Sequence, residues 1–313
     1  MTLLIWAVVF IVALAALIKG ADWVLEGAQK IGLALGMSPF LVGVIVVGFG
    51  TSAPELVSSV FGMFAGATEI PAANAIGSNI ANILLVIGLT AVFSKGPLTV
   101  TKNLIDLEIP LLALVTLLFF GVAYDGVITV PESVFLLAGF ALYLAYSFLH
   151  RDEIKNSTEK TVRVRMRPFD IVPLVLGFIF LIGGAKYLID AVLVVSNIAG
   201  VPIGVITILA VAVGTSLPEL IVSIKASVSG KGELAVGNIF GSSIFNLLMV
   251  VGVSGLLGVQ KLDAPTVTIA LPMLIATTFF FIISGISNRI HIWEGAFYVL
   301  AYVFFIAKLF GFL

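Results

Sequence analysis

The 313-residue sequence contains no cysteine and few charged residues. Without cysteine, the chain forms neither disulfides nor thiolate metal sites. Its two histidines, His150 and His291, fall near the ends of predicted helices. Charged residues make up only 11% of the chain, whereas they make up about 25% of a typical soluble domain. The hydrophobic fraction is 60% and the mean hydropathy is +1.23, so the composition excludes an ordinary soluble domain.

Apolar runs of membrane-spanning length recur along the chain. Runs of about 17–25 apolar residues satisfy their backbone polar groups as helices, whereas the strands of a membrane barrel would alternate polar and apolar residues. The first run, from Leu3 to Ile18, has no basic start and is predicted to be a span and not a cleaved leader. The predicted fold class is an all-α integral membrane protein with ten transmembrane helices. These spans are residues 4–30, 39–67, 71–94, 104–124, 131–149, 168–197, 203–229, 233–258, 266–284 and 290–311.

A single long hydrophilic segment divides these ten spans into two sets of five. The predicted organisation is a first five-helix repeat at 1–149, a cytoplasmic linker at 150–167 and a second repeat at 168–313. Loops on the side of the linker carry twelve Lys and Arg residues, against two on the opposite side. Because basic loops remain in the cytoplasm, this distribution predicts a multi-pass protein of the plasma (inner) membrane with both termini outside the cytoplasm.

Two motifs recur at one spacing, 164 positions apart. The Gly-Thr-Ser-x-Pro-Glu-Leu pattern of residues 50–56 reappears at 214–220, and the Asn-x-x-Gly-Ser-x-x-x-Asn pattern of residues 74–82 reappears at 238–246. Two matches at the same offset indicate an internal duplication. Because each half holds an odd number of predicted spans, the two copies would cross the membrane in opposite directions. This is the inverted-repeat plan of secondary transporters.

The duplicated motifs place Glu55 and Glu219 well inside predicted spans. An acidic residue at the centre of a membrane helix costs about 2.5–3.5 kcal/mol on insertion scales, so two such residues indicate a functional site. A buried ion pair is the alternative, but the intramembrane lysines, Lys19 and Lys186, lie on other spans. Acids on those same spans can pair with the lysines: Asp22, Glu26 and Asp190.

The proline in each copy predicts a break in the helix. Pro54 and Pro218 lack an N–H donor and clash with the carbonyl four residues earlier, so the carbonyls of Gly50 and Gly214 are predicted to become available as ligands. Irregular backbone at membrane depth is tolerated where it faces protein or a water-filled cavity. An ordinary proline kink, with hydroxyls bonded to the preceding turn, is the alternative for an isolated motif.

Hydroxyl and amide side chains accompany both breaks. Thr51 lies four positions before Glu55 and therefore on the same helical face, and Ser52 adds a second hydroxyl. Two polar stripes with four-residue spacing are predicted to face the breaks, because short connections make their helices antiparallel neighbours of the Glu-bearing spans. The stripes consist of Asn74, Ser78 and Asn82, and of Asn238, Ser242 and Asn246.

The assembled oxygen ligands suit a hard cation. Carboxylate, amide, hydroxyl and carbonyl oxygens, without sulfur or imidazole, favour calcium or sodium over zinc or copper. One calcium ion, or alternatively sodium ions or protons, would neutralise two carboxylates. Mutually exclusive occupancy of the same charged site is a sufficient physical basis for exchange.

These paired motifs resemble the two α-repeats of the cation/calcium antiporter superfamily, in particular the sodium/calcium exchangers. The resemblance covers the ten-span plan and both repeats. It implies that Glu55 and Glu219 are the main calcium ligands, and that the backbone carbonyls of Gly48 and Ala212 are weaker ones. Flanking sodium sites would be lined by Thr51, Ser52, Ser78, Thr215, Ser216 and Ser242. The first and sixth spans, which glycines interrupt, would slide across the other eight.

Asn82 and Asn246 complete the candidate site. Potassium-dependent members of the superfamily can carry Asp at the second position, so asparagine in both copies resembles the potassium-independent sodium/calcium branch. Proton-coupled members usually have Gly-Asn before the glutamate, which this chain lacks. The resemblance therefore favours sodium coupling.

Three other functions are weighed against sodium/calcium exchange. A proton/calcium antiporter would respond to a pH gradient alone. An intramembrane aspartyl protease requires paired aspartates for general acid and base chemistry, and no aspartate lies deep in a predicted span. A cation channel would not require an inverted duplication. The expected partners are the lipid bilayer and transported calcium and sodium ions, with no nucleic acid, no organic cofactor and no enzymatic activity, in a protein that functions as a monomer.

Overall fold

The computed structural model describes residues 2–34, 51–94, 96–99, 108–150, 171–230 and 232–311. Several predictions concern residues outside these ranges: the linker at 151–167, the first part of the second span from residue 39, and the carbonyls of Gly48 and Gly50.

The described chain is almost entirely helical. Its helices are α1 (Thr2–Ala34), α2 (Ala53–Phe64), α3 (Ile70–Phe93), α4 (Ile109–Ala123), α5 (Val130–His150), α6 (Ile171–Ala199), α7 (Ile203–Thr215), α8 (Leu217–Val228), α9 (Gly232–Ile244 continuing to Gly255), α10 (Thr266–Ile286) and α11 (Ile292–Leu309). Four two-residue strands lie in the connections: β1 (Leu98–Thr99), β2 (Val127–Ile128), β3 (Gln260–Lys261) and β4 (Arg289–Ile290).

Among the described residues, six helices are long and apolar enough to cross a membrane, or seven if the bent pair α7 and α8 forms one span. The six are α1, α3, α6, α9, α10 and α11, and the shorter apolar helices are α2, α4 and α5. Helices can cross a membrane because their backbone polar groups are satisfied within the helix. The chain is therefore an all-helical, multi-pass integral membrane protein, as the composition predicted.

The centre of the molecule is formed by α3 and α9. Within their spanning windows, 78% of the residues are buried in both helices, compared with 17% in α1. Both central helices contain a π-helical stretch, at Ala81–Ile87 in α3 and at Phe245–Val250 in α9. The two stretches begin 164 positions apart, directly before the asparagine that ends each polar stripe.

Two short antiparallel ribbons join connections from the two halves of the chain. Strand β1 pairs with β4, and β2 pairs with β3. The β1–β4 ribbon lies where α3 and α10 end, and the β2–β3 ribbon lies where α4 and α9 end. Because successive helices alternate in direction, the two ribbons lie at opposite ends of the helical bundle.

Helices α1 and α6 pack along each other at very short range through small residues. Gly20 faces the backbone of Gly177 and Leu181, and Gly184 faces the backbone of Ala13 and Leu17. A Cβ atom at Gly184 would lie only 2.6 Å from the backbone nitrogen of Leu17. The glycines therefore allow the two backbones to meet, as small residues commonly do between membrane helices.

Candidate ion-binding site

A helix begins directly after the serine in both copies of the proline motif, and in the second copy another helix ends just before it. The backbone at Ser52 has φ −94° and ψ 9°, and at Ser216 it has φ −82° and ψ 4°. At the second break, α7 and α8 meet at an angle of 41°. Proline occupies the start of α2 and of α8, where a missing N–H removes no helical hydrogen bond. The predicted break is thus present in the second copy, whereas in the first copy the residues before Thr51 lie outside the described ranges.

In both copies a glutamate lies in the first turn of the helix that begins after the serine. Glu55 is the third residue of α2 and Glu219 the third residue of α8, so each carboxylate lies near the positive end of a helix dipole. Both side chains are 0% exposed. The two carboxylates also lie close enough to interact electrostatically with each other. The structure therefore brings the two glutamates together in the interior.

The ion-pair alternative is not observed within the described residues, where neither glutamate contacts a lysine or arginine. Lys19 instead lies 3.9 Å from Asp22, as predicted. Glu26 does not pair with Lys19 but lies 3.0 Å from Lys30. Lys186 contacts the ring of Tyr187 at 5.7 Å, and among the described residues no ion pair joins it to Asp190. The prediction of a pair on the sixth span is therefore not met, because the lysine side chain lies over an aromatic ring.

Hydroxyl groups surround the Glu219 carboxylate, one of them from the other half of the chain. Ser52 donates to Oε1 of Glu219 at 3.2 Å, and Ser242 donates to the same oxygen at 3.4 Å. Thr51 and Ser242 are joined at 3.3 Å between their hydroxyl oxygens. The first motif therefore supplies polar groups to the glutamate of the second, which joins the two copies into one site.

The Glu55 carboxylate has a looser environment. Neither of its oxygens has a hydrogen-bond partner among the described residues. Thr215 and Ser216 are its neighbouring hydroxyls, but Thr215 donates to the Val211 carbonyl at 3.0 Å. This threonine thus forms the bond to the preceding turn that a simple kink predicts, whereas Ser216 has no partner in the described chain.

Backbone carbonyls near the second break face the site. Ser78 donates to the Ala212 carbonyl across 3.5 Å, so this predicted carbonyl ligand lies beside a predicted hydroxyl ligand. The N–H of Ser216 is directed towards the carbonyls of Ala212 and Gly214. The Gly214 carbonyl is therefore not left entirely without a donor, in contrast to the prediction from the proline alone.

Asn74 behaves differently from the other members of its predicted stripe. Its side-chain nitrogen donates to the Glu55 carbonyl at 3.2 Å, to the Ser58 hydroxyl at 3.3 Å and to the Ser59 hydroxyl at 3.1 Å. These contacts join α3 to the backbone of α2 beside the carboxylate. Asn74 therefore fixes the position of the helix that carries Glu55.

Asn79 is a site residue that the polar stripes did not include. It donates to the Ser243 carbonyl at 3.0 Å and accepts from Asn246 at 3.3 Å, so it crosslinks α3 and α9. Polar residues at corresponding positions of both copies, Asn79 and Ser243, were the available signal. Asn82 is fully buried and has no partner within the described residues.

The described residues that gather around the two carboxylates present only oxygen and amide groups. No group of three or more His, Cys, Asp or Glu side chains suitable for a metal exists in the described parts of the chain. The centre therefore contains two acids and neutral oxygens, which matches the ligand preference of calcium and sodium. The predicted residues whose contacts place them beside the two carboxylates, Glu55 and Glu219, are Thr51, Ser52, Thr215, Ser216 and Ser242. Of the other predicted ligands, Ser78 lies beside the Ala212 carbonyl, Asn246 bonds Asn79, and Asn82 is buried without a partner among the described residues.

Comparisons with known proteins match this chain to a family of ion exchangers. A family model described as "Sodium/calcium exchanger protein" matches residues 5–149 and 169–311. The chain is 30% identical over 344 aligned positions to the sodium/calcium exchanger MaX1 of Methanosarcina acetivorans, covering 96% of this chain and 97% of the relative. It is also 30% identical over 270 positions to the inner membrane protein YrbG of Escherichia coli, covering 83% of this chain and 82% of the relative.

A solved structure shares the fold. The sodium-calcium exchanger NCX_Mj, soaked with 2.5 mM Na+ and 10 mM Sr2+, superposes with a TM-score of 0.66 at 29% sequence identity. The alignment covers 98% of this chain and 99% of NCX_Mj. The family and these neighbours are transporters and not enzymes, which excludes the aspartyl protease interpretation.

Proposed function

This chain belongs to the sodium/calcium exchanger protein family, and from that premise we propose that it exchanges calcium for sodium by alternating access at a site near the bilayer midplane. Family membership makes it a membrane antiporter of the cation/calcium class. The ions exchanged, the residues that hold them and the way the site changes its access are the proposal.

One observation carries this proposal. Two fully buried glutamates, each at the start of a half-helix, share a compartment in which Ser52 from one motif bonds Glu219 of the other. Two carboxylates without cationic side chains are costly in a membrane interior unless a cation neutralises them. A single Ca2+ carries the matching charge, and the free oxygens of Glu55 and Asn82 are suitable ligands for it.

Sodium ions would compete for the same negative charge. The hydroxyls of Thr51, Ser52, Ser78, Thr215, Ser216 and Ser242 are the proposed ligands of flanking sodium sites, with the Ala212 carbonyl as a weaker ligand. Because calcium and sodium neutralise the same carboxylates, occupancy by one disfavours the other. The doubly charged, ion-free site is the state least able to cross between the two access conformations.

An inverted pair of five-helix repeats, at 1–149 and 168–313, is the architecture we propose for alternating access. Three observations support it. The serine breaks have nearly the same backbone geometry, the π-helical stretches begin at corresponding positions, and the two ribbons at opposite ends exchange partners between the halves. Half-helices that meet at a midplane site are typical of such transporters.

Helices α1 and α6 are the proposed moving pair. They pack mainly on each other through Gly20 and Gly184, whose surroundings correspond across the two halves. A flat backbone contact between two helices allows them to move together as one body. We propose that this pair slides across the remaining helices to change which side of the membrane reaches the carboxylates.

The remaining assignments follow from sequence. Asparagine at positions 82 and 246 favours potassium-independent exchange coupled to sodium. The basic loops favour a plasma (inner) membrane protein with its linker at 150–167 in the cytoplasm and both termini outside. The whole site lies within one chain, which supports function as a monomer, with calcium and sodium as transported substrates.

Calcium flux into proteoliposomes tests this function. Purified protein in vesicles should accumulate radiolabelled calcium when an outward sodium gradient is imposed, and equal potassium gradients should not drive uptake. Uptake driven by a pH gradient alone would instead establish a proton/calcium antiporter. Calcium current that follows the calcium gradient without any counter-ion would establish a channel and contradict exchange.

A further inference from the structure

A stripe of buried polar side chains leads away from Glu219 along α8. Glu219, Ser223 and Ser227 follow one another at four-residue intervals and so share one side of the helix. Ser223 is 0% exposed and Ser227 is 5% exposed. Neither hydroxyl has a hydrogen-bond partner in the part of the chain that the structure describes. The second oxygen of Glu219, Oε2, is also unpartnered there.

Two neighbouring helices contribute further polar groups of the same kind. Helix α8 packs against α9 and against the end of α3. On α9, Asn238 is buried, and neither its amide oxygen nor its amide nitrogen is bonded within the described residues. On α3, Thr90 is fully buried with an unpartnered hydroxyl, again among the described residues.

The position of Thr90 on its helix directs it away from α11. Gly88 packs against α11, where an added Cβ would lie 3.0 Å from the Gly295 carbonyl. Two residues further along an α-helix correspond to a rotation of about 200°, so Thr90 lies on the nearly opposite side of α3. Ser94, four residues beyond Thr90, continues that side towards the helix end.

A cavity lies at the outer end of these polar groups. It has a volume of about 300 Å³, and Ser94, Gly96, Ser227 and Gly230 are among its lining residues. Ser227 therefore belongs both to the stripe and to the cavity wall. The polar groups connect a space at one membrane face with the carboxylate at the centre.

Unpartnered buried groups of this number require an explanation. A buried hydroxyl or amide without a hydrogen bond destabilises the folded protein, and such groups are satisfied by water wherever the site is polar and roomy. Serine side chains are small and leave such room. Hydration of the stripe would therefore remove most of this cost.

The corresponding region of the first half is bonded differently. Ser59, the counterpart of Ser223, is equally buried but bonds Asn74 at 3.1 Å. Met63 occupies the position that corresponds to Ser227. On α2 the stripe beside Glu55 thus contains a bonded serine and ends in an apolar side chain, although Ser254, the counterpart of Thr90, is as unpartnered as Thr90 within the described residues.

We propose that the faces of α3, α8 and α9 that carry Thr90, Ser223, Ser227 and Asn238 form a hydrated entry path between the cavity at Ser227 and the carboxylate of Glu219. The path conducts partly hydrated cations, whose water molecules exchange with serine and asparagine oxygens. The identity of the cation rests on the proposed function, whereas hydration of the path does not.

Cysteine labelling tests the path directly, because the chain has no native cysteine. Ser223→Cys and its matched control Ser59→Cys replace equally buried serines at corresponding positions. The purified variants in detergent, without calcium, are treated with 2-aminoethyl methanethiosulfonate, a small cation, and labelling is followed by intact mass. Ser223→Cys should label at least tenfold faster than Ser59→Cys. Ser229→Cys, at an exposed turn, serves as the reactive reference.

The outcomes separate this proposal from the proposed function. Equal labelling of the two buried cysteines, or faster labelling of Ser59→Cys, would overturn the path even in a protein that exchanges calcium. Calcium should slow labelling of Ser223→Cys by occupying the adjacent site. Fast labelling that calcium leaves unchanged would overturn the role of the path in calcium entry. Calcium flux of the unmodified protein, measured separately, tests the proposed function alone.

Discussion

The surroundings of Glu55 and Glu219 are built from corresponding residues but are bonded differently. Ser52 and Ser242 donate to Glu219 at 3.2 and 3.4 Å, whereas neither oxygen of Glu55 has so close a hydrogen-bond donor among the described residues, although Thr215 and Ser216 lie beside it. The asparagines of the two halves differ in the opposite sense. Asn74, in the first half, donates to three acceptors, whereas its counterpart Asn238 has no partner in the described chain.

This difference shows that duplicated sequence does not impose duplicated bonding. Two halves that pack around one site can favour opening towards one membrane face only if they depart from symmetry. The bonded stripe beside Glu55 and the unpartnered stripe beside Glu219 are such a departure. An asymmetric arrangement of this kind is what alternating access requires of each of its end states.

The largest expected effect on calcium uptake comes from substitution of the two glutamates, which are the feature that the two halves share. Glu55→Gln and Glu219→Gln each remove one of the two negative charges, and each should reduce sodium-driven calcium uptake at least about a hundredfold, since one calcium needs both carboxylates. Glu69→Gln, which alters an acid at the turn before α3, should leave uptake unchanged. A strong effect at one site with a weak effect at the other would show that only one glutamate holds the ion.

Substitution of either matching glycine in the contact between α1 and α6 should destabilise the protein to a similar extent. Gly184→Ala and Gly20→Ala each place a Cβ against backbone, and overpacking of this kind costs about 1–3 kcal/mol. Gly183→Ala is the matched control, because its Cβ would meet open space in the described structure. Thermal unfolding should show losses of similar size at positions 20 and 184 and none at 183. Unequal losses of thermal stability would show that the two halves also differ in the contact between α1 and α6.

Substitution of Asn74 and of its counterpart Asn238 should reduce the stability of the protein to different extents. Asn74→Ala removes the donor of three hydrogen bonds and should destabilise the protein by about 1–3 kcal/mol. Asn238→Ala removes no bond within the described chain and should change the unfolding temperature much less. Equal losses of stability, measured on the ion-free protein, would show that the hydrogen bonding of the two asparagines interchanges between the halves in solution.

The motif spacing was sufficient to predict the central features of the site. A proline that lies four residues after a glycine and directly before a glutamate predicts the position of the break, and the offset of 164 pairs the two copies. The break at Ser216, the helix start after Ser52 and the burial of both carboxylates were therefore predictable from sequence. The polar stripe on α3 was only partly right, because Asn74 bonds the α2 backbone while Ser78 faces the Ala212 carbonyl.

Other features depend on contacts distant in the chain. The asymmetric bonding could not be predicted, because the residues involved correspond in both copies. The crosslink through Asn79 depends on how close α3 lies to α9, and the ribbons depend on which connections meet at each end of the bundle. Helix spacing and direction determine these contacts, and local patterns do not encode them.

Calcium binding in a double-mutant cycle tests the shared carboxylate site most directly. Calorimetry on the purified wild type should give one calcium per chain at the central site, and Glu55→Gln or Glu219→Gln alone should abolish that binding, so that the double variant is no weaker than either single variant. Independent, additive losses, or a single variant that keeps its full calcium affinity, would contradict a site shared by the two glutamates.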